Sequence, residues 1–370
     1  MNDTKPDLIV VGAGIFGLSI AWAARNRGLS VEVLEARHVG AGASGGIVGA
    51  LTPHAPSRWR PMMAFQFDAL MALADHVAAL EAATGQSVGY ARRGRITPLV
   101  SEKARAAAQR DALAAPATWG TRAEYTVLDA VPQQCRDWIS DAAAPYGVVL
   151  DTVSARVDPR AYLAALAAAL PGIIREQTPV DRLDPATCSA HAAGQVFAGG
   201  AVVLAAGWQV WDLLTPFSPA LQGMPVKGQA AMFRADVPDL PVIYQDGLYM
   251  VPHDGGRIAV GSTSEKRFDA PDTTDSLLDE VIAKARAICP ALRDAEVLER
   301  WAGLRPKPPG REPVVGRHPE YPNLWLAAGG FKISFGIAHA VADAVVAGIV
   351  GDEPEFELPE TFDPATRIDK

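Results

Sequence analysis

Three glycines spaced Gly12-x-Gly14-x-x-Gly17, with a carboxylate 18 residues further on at Glu35, are the first residues whose types and spacing carry a chemistry. In such an arrangement Gly12 permits a tight turn, Gly14 lets the main chain approach a pyrophosphate, and Gly17 lets helix and strand pack closely. The start of the helix offers free N–H groups and the positive end of its dipole to phosphate oxygens. Glu35 is placed to accept hydrogen bonds from adenosine ribose hydroxyls. Three glycines alone also occur in structural turns, so the flanking elements decide. The apolar, β-branched run Leu8–Val11 precedes them, residues 18–27 read as a helix closed by Gly28, and Val31–Leu34 alternates as a second strand ending on the acid. This β-α-β unit implies a dinucleotide site. The acid suits FAD or NAD and disfavours NADP, whose 2′-phosphate it would repel.

Other segments must position this site. Ala201–Leu204 runs into Ala205-Ala206-Gly207, and Leu324–Leu326 runs into Ala327-Ala328-Gly329-Gly330. Both resemble the first strand-to-glycine ending, which predicts three strands of one parallel sheet with their carboxyl ends facing one ligand. The small-residue run Gly40–Gly49 follows the second strand, where a ligand would lie, and reads as part of the site in preference to a linker. Helices are expected over residues 65–84, over 102–115 on the surface, and from the Asp158-Pro159 cap to Leu170. Between Pro225 and Trp301 the texture changes. Tyr249–Pro252 and Ile258–Ser262 read as strands joined at Asp254-Gly255-Gly256, with a helix over Ser276–Ile288. This predicts an antiparallel sheet with packing helices, and a dinucleotide domain discontinuous in sequence.

Composition narrows the partners. With 370 residues and 49% hydrophobic content the chain can bury more than one simple core. A net charge of −8 and isolated basic pairs such as Arg92-Arg93 argue against nucleic acid. The start, Met1–Asp7, lacks a basic then apolar signal pattern. The apolar stretch Phe335–Gly351 contains His339 and Asp343 and reads as a buried helix, not a membrane span. Cys135, Cys188 and Cys289 are far apart, show no metal-ligand spacing and read as buried thiols, which fits a cytoplasmic location. No metal is expected.

Further motifs carry a resemblance. They are Ala43-Ser44-Gly45-Gly46, Val157-Asp158-Pro159, Ala205-Ala206-Gly207-Trp208, Pro225-Val226-Lys227-Gly228-Gln229, Tyr249-x-Val251-Pro252 and Gly261-Ser262-Thr263. The most specific is Trp301-Ala302-Gly303-Leu304-Arg305-Pro306, followed by Gly316-Arg317-His318-Pro319 and Ala327-Ala328-Gly329. With the N-terminal unit, this set resembles the glycine oxidase and D-amino acid oxidase family of flavoproteins over most of the chain. The resemblance implies an α/β plus α+β architecture: a Rossmann-like FAD domain (residues 1–85, 151–215 and 315–370) and a substrate domain on a large mixed or antiparallel sheet (86–150 and 216–314). It implies noncovalent FAD, since no cysteine lies in the Arg305 block and His54 sits too far along to match a covalent attachment point. Beyond the motif glycines and Glu35, expected cofactor contacts are Ile15, Phe16, Ala36, the Ala43, Ser44 and Gly45 turn, the Val180 backbone at the adenine, and Ala206 and Gly207. The loop Gly330, Phe331, Lys332, Ile333 and Ser334 completes them, its N–H groups and helix dipole directed at the flavin N1–C2=O edge.

The chemistry implied is oxidation of the C–N bond of a small amino acid of the glycine, sarcosine or D-amino acid type. A hydride passes from the α-carbon to flavin N5, and the imine hydrolyses to a 2-oxo acid. The amine reacts as its neutral base, so the protein supplies position and electrostatics. By the resemblance Arg305 grips the substrate carboxylate with parallel hydrogen bonds and Tyr249 orients it. The chain departs from the glycine oxidase pattern His-Phe-Arg-Asn-Gly at Gly330-Phe331-Lys332-Ile333-Ser334. Lys332 keeps a point charge without a planar fork, which points to another or larger carboxylate, or to a charge that assists oxygen near the flavin. His54 and His253 read as hydrogen-bonded loop histidines. The electron acceptor is oxygen or, in a dehydrogenase, another carrier. A non-redox dinucleotide-binding protein and an enzyme acting on a modified tRNA base are the competing classes; Arg305 beside the flavin loop and the acidic balance speak against them. A homo-oligomer is implied by the family alone.

Overall fold

The computed structural model describes residues 5–368 and is built on two large sheets. The first has six strands in the order Val314–Arg317, Leu324–Ala328, Ala201–Leu204, Leu8–Val11, Val31–Leu34 and Ile174–Arg175. All pair in parallel except the edge strand Val314–Arg317. The three strands with strand-to-glycine endings are thus adjacent and parallel, as their sequences predict. Leu8, Ile9 and Val10 have no exposed surface, and a strand buried on both faces reads as a continuous apolar run.

Helices Ile15–Asn26, Pro61–Thr84, Pro159–Ala168 and Ser334–Val350 share one core cluster on one side of this sheet. The first begins at Ile15, earlier than residue 18, because Gly14 already takes the cap position. Asp158 caps the third by accepting from the N–H groups of Arg160 and Ala161. Helix Ser334–Val350 is buried over most of its length. Helix Pro61–Thr84 is long and apolar enough to cross a membrane, and its larger apolar residues, among them Met62, Phe67, Leu73 and Leu80, are buried in the core.

The second sheet has eight strands in the order Glu296–Lys307, Met224–Arg234, Arg257–Gly261, Leu248–His253, Val242–Gln245, Arg95–Pro98, Val148–Asp151 and Tyr125–Leu128. It is antiparallel apart from the parallel pairing of Val242–Gln245 with Arg95–Pro98. Helix Ser276–Ile288 covers one face through Leu278, Ile282 and Ala285. Two strands are much longer than the short segments expected from sequence. Met224–Arg234 and Glu296–Lys307 pair along their whole length, with Val226 opposite Arg305 and Gly228 opposite Gly303. Prolines and glycines mask them in the sequence. Pro306 is tolerated because Glu296–Lys307 is an edge strand, where one face of the ladder needs no donor.

Candidate active site

The carboxyl ends of the parallel strands and the inner face of the larger sheet enclose a cavity of about 830 Å³. One wall carries Gly12, Gly14, Glu35, Ala206 and Gly207. The other carries Gly228, Tyr249, Ser262 and Arg305, and the loop Gly330–Ser334 lies between them. Ile15, Phe16, Ala36, Ala43, Ser44 and Val180 also line it. Of the residues expected at the site, Gly17 and Gly45 do not. Gly17 lies one turn into its helix, where a Cβ would stand 1.9 Å from the Gly12 carbonyl oxygen. The carbonyl of Gly45 faces away and accepts from Arg160 Nε at 2.9 Å.

The close approach at Gly17 sets a test. Replacing Gly17 by alanine forces strand and helix apart, and overpacking of this kind costs about 1–3 kcal/mol. Binding of FAD is expected to weaken by about tenfold or more, read by titrating apoprotein with FAD. Unchanged affinity would show that the turn tolerates the displacement.

The dinucleotide end is pre-ordered by its own hydrogen bonds. Glu35 accepts from the Ala13 N–H at 2.8 Å and the Arg37 N–H at 2.9 Å. Ser44 Oγ accepts from the Ile15 N–H at 3.0 Å, placing a hydroxyl at the start of the helix. Each carboxylate oxygen of Glu35 keeps lone pairs for a further donor.

At the other end stands Arg305. Its Nη1 donates to Ser262 Oγ at 2.9 Å, and its Nη2 donates to the carbonyls of Thr263 at 2.5 Å and Lys227 at 3.3 Å. Among the described residues no carboxylate lies within 4.0 Å of it. Burial lowers its pKa to about 10, with nearby Glu265 opposing the shift, so it stays charged at neutral pH. Gly228 makes room for it, since a Cβ there would stand 2.7 Å from Nη2. The carbonyls it uses are held by a polar network that reaches the surface at Asp275. Lys227 donates to Asp275 at 3.1 Å, Gln229 donates to Glu265 at 3.0 Å and Asp275 at 2.8 Å, and the backbones of Lys227 and Glu265 bond to each other.

Phe331 has a left-handed backbone, φ 47°. Its ring lies 5.6 Å from the Arg305 guanidinium and 5.7 Å from Lys332 Nζ, so one aromatic face stands beside two cations. Burial and then Arg305 lower the Lys332 pKa. Helix Ser334–Val350 begins directly after this loop, without a side-chain cap, so its first N–H groups remain for a ligand. Tyr249 bonds through its hydroxyl to Thr52 Oγ1 at 3.0 Å, and burial raises its pKa, keeping the phenol protonated.

Sequence reasoning missed Thr52, Gln66, Gly228 and Ser262, all of which line the cavity. Gly228 and Ser262 lie inside motifs noted above, whose spacing does not reveal that they surround a guanidinium. Thr52 and Gln66 carry no sequence signal. Of the histidines, His54 is a hydrogen-bonded loop residue as expected, bonded to Gln66, whereas His253 ends a strand and bonds to the carbonyls of Ile47 and Val48. Of the cysteines, Cys135 and Cys289 are buried and Cys188 is partly exposed.

A glycine turn at a helix start, an acid after the second strand and a second helix start at the same cavity define a dinucleotide-dependent enzyme. A model of the family of FAD dependent oxidoreductases named DAO matches residues 7–344, and the chain belongs to that family. It is 30% identical over 340 residues to the glycine oxidase of Geobacillus kaustophilus, covering 88% of each chain. The crystal structure of glycine oxidase from that organism superposes with a TM-score of 0.86 at 24% identity, covering 97% of this chain and 98% of that one. The crystal structure of iminodiacetate oxidase from Chelativorans sp. BNC1 gives a TM-score of 0.81 at 21% identity over 96% and 98%. At these identities the structures establish the fold. The protein is an FAD-dependent oxidoreductase. The residues present fit FAD: the cavity volume falls in the range of cofactor sites, and two helix starts face it, one with the Ser44 hydroxyl on its first N–H and one without a side-chain cap.

Proposed function

We propose that the protein oxidises the C–N bond of a small amino acid of the glycine, sarcosine or D-amino acid type. The observation that carries this reading is Arg305: a half-buried, charged guanidinium with no carboxylate within 4.0 Å among the described residues, in the same cavity as the cofactor elements. Its second Nη1 N–H, its Nε N–H, which has no partner among the described residues, and its positive charge suit a carboxylate. Tyr249 adds a hydroxyl donor, and Lys332 adds charge beside the flavin loop. Gly12, Gly14 and Ser44 hold the pyrophosphate, Glu35 the ribose and Val180 the adenine. FAD, bound noncovalently, accepts two electrons and two hydrogens from the substrate when present. Arg305 would fix the carboxylate and with it the position of the α-carbon in the cavity, and the cavity walls would limit water. The imine then takes up water to give a 2-oxo acid and ammonia, or an amine where the substrate nitrogen carries a substituent. The acceptor that regenerates the cofactor is oxygen, or another carrier if the enzyme is a dehydrogenase. The division into an FAD domain (1–85, 151–215, 315–370) and a substrate domain (86–150, 216–314), a cytoplasmic location and a homo-oligomer belong to the same proposal.

The test is the visible spectrum of the purified yellow protein under anaerobic conditions, with glycine, sarcosine, D-alanine, D-proline and iminodiacetate added in turn. Bleaching by one or more is expected, and peroxide on readmitting air would identify an oxidase. A flavin that none of them reduces would overturn the small-amino-acid reading and leave a larger amine.

A further inference from the structure

A run of hydrogen bonds leads from the surface of helix Pro61–Thr84 to the Tyr249 hydroxyl. Gln66 Nε2 donates to the Thr52 carbonyl at 3.0 Å, which leaves Gln66 Oε1 as the acceptor facing His54 Nδ1 at 2.5 Å. Burial lowers the His54 pKa, so its ring is neutral at neutral pH, and Nδ1 carries the proton that Oε1 accepts. With its carbonyl engaged, Thr52 still offers its side-chain hydroxyl, whose single partner among the described residues is the Tyr249 oxygen at 3.0 Å. One of these two hydroxyls must donate to the other. If Tyr249 donates, it meets a carboxylate with a lone pair. If Thr52 donates, Tyr249 keeps its proton for the substrate.

We infer that Thr52 is a positioning residue: its hydroxyl donates to the Tyr249 oxygen, and so turns the phenol proton toward the substrate carboxylate. The inference rests on the carboxylate-binding reading of the site. Donation then runs from the Thr52 hydroxyl through Tyr249 to the substrate, while the separate bonds from His54 to Gln66 and from Gln66 to the Thr52 carbonyl hold the Thr52 main chain. A donor that is itself accepting a hydrogen bond is polarised, which strengthens its next bond. Gln66, 2% exposed, holds the Thr52 main chain in the register this requires.

The test uses FAD-loaded enzyme and the variants Thr52→Val, Thr52→Ser, Tyr249→Phe and the double Thr52→Val/Tyr249→Phe. Acetate, a carboxylate without an amine, is titrated by its perturbation of the flavin spectrum, and KM and kcat are measured with the best amino acid found. Thr52→Val is expected to weaken acetate and raise KM by about fivefold with kcat within about twofold, a loss appropriate to one neutral hydrogen bond. Thr52→Ser is expected to restore both. In the Tyr249→Phe background, itself about twentyfold weaker, Thr52→Val is expected to add nothing. Unchanged binding in Thr52→Val, or a loss of equal size with and without the Tyr249 hydroxyl, would overturn the inference. A wild-type enzyme that no amino acid reduces would instead overturn the functional reading; the acetate titration needs no turnover and reads the hydroxyl in either case.

Discussion

Replacing Arg305 by glutamine is expected to lower kcat/KM for the best amino acid substrate by about 10³-fold, mostly through KM. Removing one partner of a desolvated, hydrogen-bonded charge pair costs about 2–5 kcal/mol, and about 4 kcal/mol is a thousandfold. The site gives two reasons to expect the upper part of that range. Arg305 is half-buried, with its guanidinium desolvated, so its field is only partly screened, and no acid within 4.0 Å among the described residues competes for it. Glutamine keeps hydrogen-bonding atoms for Ser262 and the Thr263 carbonyl, so the eight-stranded sheet and FAD content should survive. Arg305→Lys should fall between the two, since the ammonium keeps the charge but cannot reach Ser262 and substrate with one planar fork. Steady-state kinetics beside the ratio of flavin to protein absorbance decide the matter. Loss of activity without loss of flavin supports the carboxylate role. A variant with undiminished kcat/KM would assign Arg305 to structure, through its bonds to Ser262, Thr263 and Lys227.

A comparably large effect is expected from acid. His76 and His339 lie with ring centroids 4.9 Å apart where helices Pro61–Thr84 and Ser334–Val350 meet, with Trp22, Tyr162 and Phe356 around them. His76 Nε2 and both nitrogens of His339 are buried without hydrogen-bond partners. Burial lowers the pKa of His76 to about 4; burial and then His76 lower that of His339 to about 3. Both are therefore neutral in the folded protein, whereas in the unfolded chain they titrate near 6.5. As pH falls below that value the unfolded state binds protons first. Stability is full above about pH 6.5 and is lost progressively down to the folded-state values. Each histidine should remove about 3 kcal/mol by pH 4. Because His339 sits in the helix that carries the Gly330–Ser334 loop, release of FAD should accompany the loss. Denaturation of the holoenzyme at pH 7 and pH 4.5 measures it, with His76→Phe/His339→Leu expected to reduce the difference. An equal pH dependence in wild type and variant would place the acid sensitivity elsewhere.

Much of the dinucleotide half was legible because its signals are local. Gly12, Gly14 and Gly17 are close in the chain, and strand, turn, helix and acid follow within a single β-α-β unit whose hydrogen bonds are mostly internal. Asp158 as a cap and the helix Ser276–Ile288 were legible for the same reason, since capping and helical periodicity depend on neighbours a few residues away. The long strands Met224–Arg234 and Glu296–Lys307 were not. A strand containing Pro225, Gly228, Gly303 and Pro306 has poor intrinsic propensity, and only pairing along its partner defines its length. The position of Arg305 was reachable by resemblance, but its surroundings were not. Gly228 and Ser262 reach it from different strands, because registers set by pairing bring residues far apart in sequence to one point.

By itself, the sequence determined the dinucleotide turn, the parallel strands that end on it, the carboxylate at Glu35 and the apolar character of the helix behind the flavin loop. These depend on covalent neighbours and on period, which any folded context preserves. The tertiary structure alone decided that no carboxylate among the described residues lies within 4.0 Å of Arg305, that Thr52 meets Tyr249 across 197 residues of chain, and that His76 and His339 pack ring against ring where two helices meet. Charge state, proton direction and exposure are set by what packs around a group, and no local pattern records who those neighbours will be.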